Sequence, residues 1–281
     1  MPKWVFKIIQ TPVCISEYTA NDLAVLKQKL SRFNNINPLV TIVIPTWNEE
    51  KGIIHTLISL ANTTTDFNTE LLVVDNNSTD DTINLLKTLG VTTLCETKQG
   101  VGHARTLGLL QAKGKYILTG DSDTLYPAGW ISAMTKPMIN GTEKNVYCVH
   151  GTYSFLPSDA TPRWQYGIYE MMSAIVKKKD QKTRPHFNVL GFNCGFIRSK
   201  GIEVNGYEIP TQRTFRGTAG KADDNATEDG MMAFRLREAG GTIHPVDNIH
   251  ARVWTSDRRI QMDGGILNAL KIRVKKNLFK R

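Results

Sequence analysis

Residues 116–123 read Tyr116-Ile117-Leu118-Thr119-Gly120-Asp121-Ser122-Asp123, an apolar, β-forming run that ends abruptly in two carboxylates. Such a run suits a strand covered on both faces of a sheet. The same phrase occurs twice upstream. Val40-Thr41-Ile42-Val43-Ile44 is β-branched and apolar, and Pro45 is expected to stop it ahead of Thr46-Trp47-Asn48-Glu49. Glu70-Leu71-Leu72-Val73-Val74 ends at Asp75-Asn76-Asn77-Ser78. Helical patterns lie between them. One spans 49–61 and buries Ile53, Ile54, Leu57, Ile58 and Leu60; another carries Leu85, Leu86 and Leu89; a third covers 102–112, after a short strand over 91–95. This alternation predicts right-handed crossovers and an α/β domain, with a Rossmann-like, mostly parallel central sheet flanked by helices. Ligands of such sheets sit beyond the carboxyl ends of the strands, which is where Thr46 to Glu49, Asp75 to Ser78 and Asp121 to Asp123 fall.

Outward from this core the texture is mixed. Upstream, Asn21 is expected to cap a short amphipathic helix carrying Leu23, Val25, Leu26 and Leu30. Downstream, 146–155 reads as a strand and 164–179 as a helix with Tyr169, Met172 and Val176 inward. A glycine-rich span covers 206–225, a helix covers 228–239 with Gly240-Gly241 as its C-cap, and a last strand is expected over 249–255.

Composition narrows the class. Of 281 residues, 41% are hydrophobic and 22% charged, values of an ordinary globular chain with a sizeable core. The formal charge of +9 favours anionic partners, but residues 271–281 alone hold Lys271, Arg273, Lys275, Lys276, Lys280 and Arg281 without an acid. Aromatic interleaving or a groove-reading helix is missing, so nucleic acid is not an expected partner. Cys14, Cys95, Cys148 and Cys194 form no C-x-x-C pair, which argues against a zinc site or disulfide framework. No run reaches membrane-spanning length and the N-terminus has no signal-peptide core; a cytoplasmic chain, peripheral on the inner membrane face at most, is expected.

Each strand end offers chemistry. Asp121 and Asp123, two apart after a buried strand, both reach one cleft, and their oxygens suit Mg²⁺ or Mn²⁺ bound to a diphosphate. An ordinary acidic turn is the plain alternative for a lone D-x-D. Asp75 is placed to accept from a base N–H or a ribose hydroxyl; Asn77 offers the same, whereas Ser78 and Asp80 read better as caps. Glu49 is a candidate nucleotide contact or helix cap. In Gly100-Val101-Gly102-His103-Ala104-Arg105, Arg105 is a cation at a helix start that suits a phosphate, Asp75 or Asp121, and His103 reads as structural. Thr227 is an N-cap for the helix opened by Glu228-Asp229, and Asp229 is the candidate base for a hydroxyl proton. The glycine-rich span ahead of it suits a loop that closes over a bound donor.

Together these residues resemble glycosyltransferase family 2, of the GT-A fold. The similarity is carried by Val43-Ile44-Pro45-Thr46-Trp47-Asn48-Glu49-Glu50, by Val73 to Asp80, by Gly100 to Arg105, by Gly120-Asp121-Ser122-Asp123, by Gly191 to Arg198 and by Glu228-Asp229, in that order over about residues 39–260. The resemblance implies a uridine or guanosine diphosphate sugar as donor, Mn²⁺ or Mg²⁺, and inversion at the anomeric carbon. It places Pro45, Glu49, Asp75, Asn77, Arg105, Asp121 and Ser122 around the donor, Asp121 and Asp123 on the metal, and Asp229 with Glu228 at the catalytic step. His250 is the candidate late histidine of the metal shell, with a satisfied structural histidine as the alternative reading. By this reading 1–38 is an extension, 39–125 the nucleotide-sugar half, 126–260 a mixed acceptor half, and 261–281 a basic tail.

The Q-x-x-R-W motif of processive synthases is missing; Val253-Trp254-Thr255-Ser256-Asp257-Arg258-Arg259 stands near its place, with Arg258 and Arg259 suited to phosphate or an acidic acceptor. The expected acceptor is a hydroxyl of a glycan, a lipid-linked sugar or a small molecule in envelope or exopolysaccharide synthesis. Leu267, Leu270, Val274 and Leu278 at helical spacing among basic residues suit a C-terminal helix lying on an anionic membrane. Two other readings compete. A nucleotidyltransferase would want a glycine-rich basic loop after the first strand, where Thr46-Trp47-Asn48-Glu49 stands instead. A non-catalytic nucleotide-sugar-binding module would not need the full set of acids.

Overall fold

In a computed structural model of the chain, the described residues are 1–158, 161–208, 213–214, 217–218, 227–262, 264–266 and 268–269. The expected closing loop over 206–225 and the C-terminal helix over 266–281 fall mostly outside them. Along the chain come α1 (Lys3–Ile9), α2 (Ala20–Leu30), β1 (Val40–Thr46), α3 (Ile53–Ala61), β2 (Thr69–Asp75), α4 (Thr82–Thr88), β3 (Thr93–Cys95), α5 (Val101–Gln111) and β4 (Tyr116–Thr119). Past the two carboxylates follow β5 (Thr124–Leu125), α6 (Trp130–Asn140), β6 (Val146–His150), β7 (Thr152–Phe155), α7 (Arg163–Thr183), β8 (Cys194–Ile197) and α8 (Arg198–Glu203). Two-residue strands β9 (Arg213–Thr214) and β10 (Gly217–Thr218) precede α9 (Glu228–Glu238), β11 (Thr242–Pro245), β12 (Arg252–Thr255) and α10 (Arg258–Met262).

The main sheet has seven strands in the order β11-β6-β8-β4-β1-β2-β3. β4, β1, β2 and β3 are mutually parallel, as the alternation predicts. β8 alone runs against both its neighbours, and β11 is parallel to β6. Alternate residues feed two cores. Ile42, Ile44, Leu71, Val73 and Leu118 pack on one face; Val43, Leu72, Val74 and Ile117 pack on the other. The N-terminal segment belongs to the same body, since Leu26, Leu30 and Phe33 join the first core and Val5 and Ile8 pack with Leu125 and Trp254.

Several local expectations shift. Pro45 does not stop β1, which continues to Thr46. The β4 register ends at Val43↔Thr119, so the N–H that proline lacks is not needed on that side. The α2 cap is Thr19, not Asn21: its hydroxyl accepts the Asp22 N–H (3.1 Å) and the Asp22 carboxylate accepts the Thr19 N–H (3.1 Å), a capping box. The helix expected from residue 49 begins at Ile53, and the Glu49 N–H donates to the Thr82 hydroxyl (2.9 Å). The expected strand over 146–155 breaks at Gly151, where a Cβ would lie 2.4 Å from the Ala251 carbonyl, and its second half joins a separate sheet of order β5-β12-β7. Met172 is exposed rather than inward, and the Val176 side chain is outside the description. Polar anchors on α7 explain the rotation: Tyr166 donates to Asp257 and Glu170 accepts the Phe155 N–H (2.8 Å).

A pH effect is built into the end of β6. His150 is buried with Nε2 2.9 Å from Gln181 Oε1, and burial lowers its pKa below the usual imidazole value. The unfolded chain therefore takes up this proton first as pH falls; the contribution is intact above about pH 6.5 and is lost below it. Thermal midpoints measured from about pH 7.5 to 5.5 should fall, and His150→Gln should flatten part of that slope. His103 and His186, also lowered by burial, act with the same sign. An unchanged slope in the variant would assign the effect to them.

Candidate active site

The D-x-D turn is held from two sides. The Thr56 hydroxyl of α3 lies 2.8 Å from the Ser122 carbonyl and 2.9 Å from that of Thr124, and accepts the Thr124 N–H (3.2 Å). The Asp121 N–H donates to the Tyr126 hydroxyl (2.9 Å). Ser122 is buried, so its contribution is to the turn itself. The Asp121 and Asp123 side chains stay partly open, at 26% and 18% exposure.

Arg105 ties this turn to the acids of α9. It is 2% exposed. One guanidinium nitrogen donates to Asp121 (2.8 Å); the other donates to Glu228 (2.9 Å) and Asp229 (2.7 Å). Burial opposes the charge, but Asp229, Asp121 and Glu228 outweigh it and hold the pKa well above the ordinary guanidinium value. A phosphate-contacting role does not suit a cation enclosed this way. Arg105 is instead the post on which two carboxylate segments, far apart in sequence, are mounted. Gly191 makes the approach possible: a Cβ there would lie 2.2 Å from an Arg105 nitrogen, and its own N–H donates to the second oxygen of Asp229 (2.9 Å).

A second cation lies on the other side of the turn. Arg258, at the start of α10, pairs with Glu49 and with Asp123 (3.2 Å to the latter) and is more than half exposed. The Ser256 hydroxyl also donates to Asp123 (2.6 Å). Burial pushes the Glu49 carboxyl up to about 7; Arg258 pulls it down, while Asp123 and Asp121 push it further up. Glu49 is thus a buried acid facing the site, not a cap of α3.

Asp75 closes β2 fully buried. One oxygen accepts the Ser78 N–H (3.0 Å); the other has no hydrogen-bond partner. An orphaned buried carboxylate oxygen is costly and suits a ligand that donates to it. Nearby, the Asn48 N–H donates to the Ser78 hydroxyl (2.9 Å) and the Thr79 N–H to the Asn48 side chain (2.8 Å), which joins the ends of β1 and β2. Asn77 is exposed in the left-handed region at φ 63°, a conformation that asparagine tolerates.

The predicted residues therefore converge in a chain of contacts along one edge of the sheet: Asp75 with Ser78, Glu49 with Arg258 and Asp123, Asp121 with Arg105, Glu228 and Asp229. Two do not join it. Pro45 is buried within β1 and presents no side chain to the edge. His250 stands exposed in the turn before β12, its ring against Gly129, while Asp123 lies beside the opposite end of that strand. About four strand residues, or roughly 13 Å, separate the two ends. His250 is accordingly removed as a metal ligand; Ser256 and Arg258 occupy the flank assigned to it. Thr56, Tyr126 and Ser256 were missed, because a hydroxyl in an apolar helix face and a tyrosine after a turn carry no local signature of function. Cys194 and Cys148 are buried thiols, and burial pushes Cys194 up to about 12.

The carboxylates fit a hard divalent cation such as Mn²⁺ or Mg²⁺. They offer only oxygen, at one partly open strand end, in a field that already draws the Arg258 guanidinium. No group of three or more His, Cys, Asp or Glu among the described residues is arranged to hold a metal, and a cation there would take its other ligands from phosphate oxygens and water.

A parallel-centred sheet with one reversed strand and acids at the strand ends defines the GT-A class of α/β domain. The comparisons with known proteins agree. The family model Glycosyl transferase family 2 matches residues 41–203, more than half of the chain. The chain belongs to glycosyltransferase family 2. An uncharacterized glycosyltransferase of Haemophilus influenzae is 28% identical over 124 residues, 42% of this chain and 48% of that protein. The poly(ribitol-phosphate) beta-N-acetylglucosaminyltransferase TarS of Staphylococcus aureus is 37% identical over 92 residues, 30% of this chain and 16% of that protein. The chain thus spans about half or less of these curated relatives. The TarS crystal structure superposes at TM-score 0.54 and 17% identity over 77% of this chain and 36% of that one. The mannosyltransferase PcManGT from Pyrobaculum calidifontis, in complex with GDP-Man and Mn²⁺, gives 0.52 at 17% identity over 84% and 65%. Both share the fold.

Proposed function

We propose that the chain is an inverting glycosyltransferase that moves a sugar from a uridine or guanosine diphosphate carrier to an acceptor hydroxyl, with a divalent cation at Asp121 and Asp123. One observation carries this reading: the Arg105 guanidinium holds Asp121, Glu228 and Asp229 in a single ion-pair cluster beside the other strand-end acids. Asp75, with its unpartnered buried oxygen, receives the base or ribose. Arg258 faces the diphosphate. A divalent cation bound there supplies charge neutralisation for the departing nucleoside diphosphate. Asp229 takes the acceptor hydroxyl proton as that oxygen bonds to the anomeric carbon; the carbon–oxygen bond to the diphosphate breaks on the opposite face, and its electron pair leaves with the phosphate. Glu228 and Arg105 position this base. The acceptor is a hydroxyl of a glycan, a lipid-linked sugar or a small molecule.

Calorimetric titration with UDP and GDP in the presence of Mn²⁺ tests the donor side. One nucleotide should bind, and Asp75→Asn should weaken it by about 10- to 100-fold, the worth of a hydrogen bond to a charged group. Equal binding by the variant, or turnover that releases pyrophosphate from a nucleoside triphosphate, would sink the reading; the latter would favour a nucleotidyltransferase.

A further inference from the structure

α7 carries apolar side chains on the face turned away from the protein as well as on the face packed with Ile260 and Ala269. The face turned to the protein is aromatic and polar: Tyr166, Tyr169, Ser173 and Asp180 are buried. The apolar side chains point out. Trp164 is 65% exposed, Met171 64% and Ile175 70%, with Ile168 and Met172 beside them. Spacings of three and four residues place all five on one side of the helix. A contiguous exposed stripe of this kind marks a surface that meets something less polar than water.

The last two turns continue the same side with Lys178, Lys179 and Lys182, all exposed. The acids of the helix lie elsewhere: Glu170 is turned inward to Ser154 and the Phe155 N–H, and Asp180 is buried against Arg184. The outer face of this 21-residue helix is therefore an apolar half followed by a cationic half, roughly 27 Å from Trp164 to Lys182. A tryptophan and aliphatic residues suit the acyl boundary of a bilayer, and lysines without acids complement anionic head groups. No helix of the described residues is long and apolar enough to cross a membrane. The outer face of α7 suits lying on one.

We propose that α7 is an interfacial helix that seats the protein on an anionic lipid bilayer through Trp164, Ile168, Met171 and Ile175, with Lys178, Lys179 and Lys182 on the head groups. The inner face of the same helix reaches the candidate site, because Tyr166 donates to Asp257, the neighbour of Arg258. Docking so places the candidate site beside the bilayer surface. The exposure and charge of this surface are independent of the donor chemistry.

Flotation of the full chain with vesicles of phosphatidylcholine alone, or mixed with phosphatidylglycerol, tests this. Wild-type protein should float with the anionic vesicles, and the double substitution Ile168→Glu, Ile175→Glu should reduce the bound fraction by about tenfold or more at unchanged thermal midpoint. Replacing Lys178, Lys179 and Lys182 by Gln should remove most of the preference for anionic lipid. Brominated lipid should quench part of the tryptophan emission, and Trp164→Phe should abolish that part, a readout that carries no folding risk at an exposed side chain. Three results would overturn the proposal: no flotation of wild-type protein; undiminished flotation of the glutamate variant, which would assign binding to the basic segment 271–281; or a lipid-free dimer in light scattering that the glutamate variant dissolves, which would make the stripe a protein interface.

Discussion

Arg105→Gln is expected to destabilise the fold by about 3–5 kcal/mol, because it strands carboxylates that were buried against a charge. Asp121, Glu228 and Asp229 all contact the one guanidinium, and Glu228 and Asp229 have almost no access to water that would solvate them instead. Arg105→Lys should recover only part of the loss, since a single ammonium cannot span acids on α9 and on the turn after β4 together. Urea unfolding of the two variants checks this. Adding Glu228→Gln to Arg105→Gln should restore some stability, because one of the stranded charges goes with it. A loss below about 1 kcal/mol in Arg105→Gln would mean that the cluster does not depend on its cation.

Asp229→Asn should lower turnover by roughly 10²- to 10⁴-fold while leaving nucleotide diphosphate affinity near that of the parent. The amide keeps the size of the carboxylate and one acceptor oxygen, so the Gly191 N–H contact survives, but it cannot take a proton. Initial rates of nucleoside diphosphate release with the acceptor, set beside calorimetric affinities, separate the two effects. Glu228→Gln is the comparison: it touches the same Arg105 nitrogen without the Gly191 contact, and it should cost less activity than Asp229→Asn. Normal transfer by correctly folded Asp229→Asn would remove this residue as the base.

The central strands were legible because burial on both faces demands unbroken apolar runs, and Val40–Ile44, Leu71–Val74 and Tyr116–Thr119 are such runs. Their ends were legible for the opposite reason: polar residues directly after a buried strand have only the sheet edge to go to. The reversed strand β8 was not. Gly191 to Arg198 reads as a motif, yet nothing in Cys194-Gly195-Phe196-Ile197 states its direction, which is set by pairing with β4 and β6. The small sheet containing β12 escaped for the same reason, and with it the approach of Ser256 and Arg258 to Asp123. His250 was assigned from its place in the chain order. Four residues of extended strand carry it away from Asp123, a distance that no spacing rule contains.

By itself, the sequence determined the α/β alternation, the parallel centre of the sheet and the list of acids at its carboxyl edge, because hydrophobic periodicity and strand-end polarity are local properties of the chain. Only the tertiary structure decided which cation meets which acid. Arg105 reads locally as a partner for a phosphate, Asp75 or Asp121; packing of α9 and the turn after β4 around it selects Asp121 and adds Glu228 and Asp229. Arg258, far along the chain, is brought instead to Glu49 and Asp123. Electrostatic partnership depends on through-space distance, and that distance is fixed by packing among segments more than a hundred residues apart.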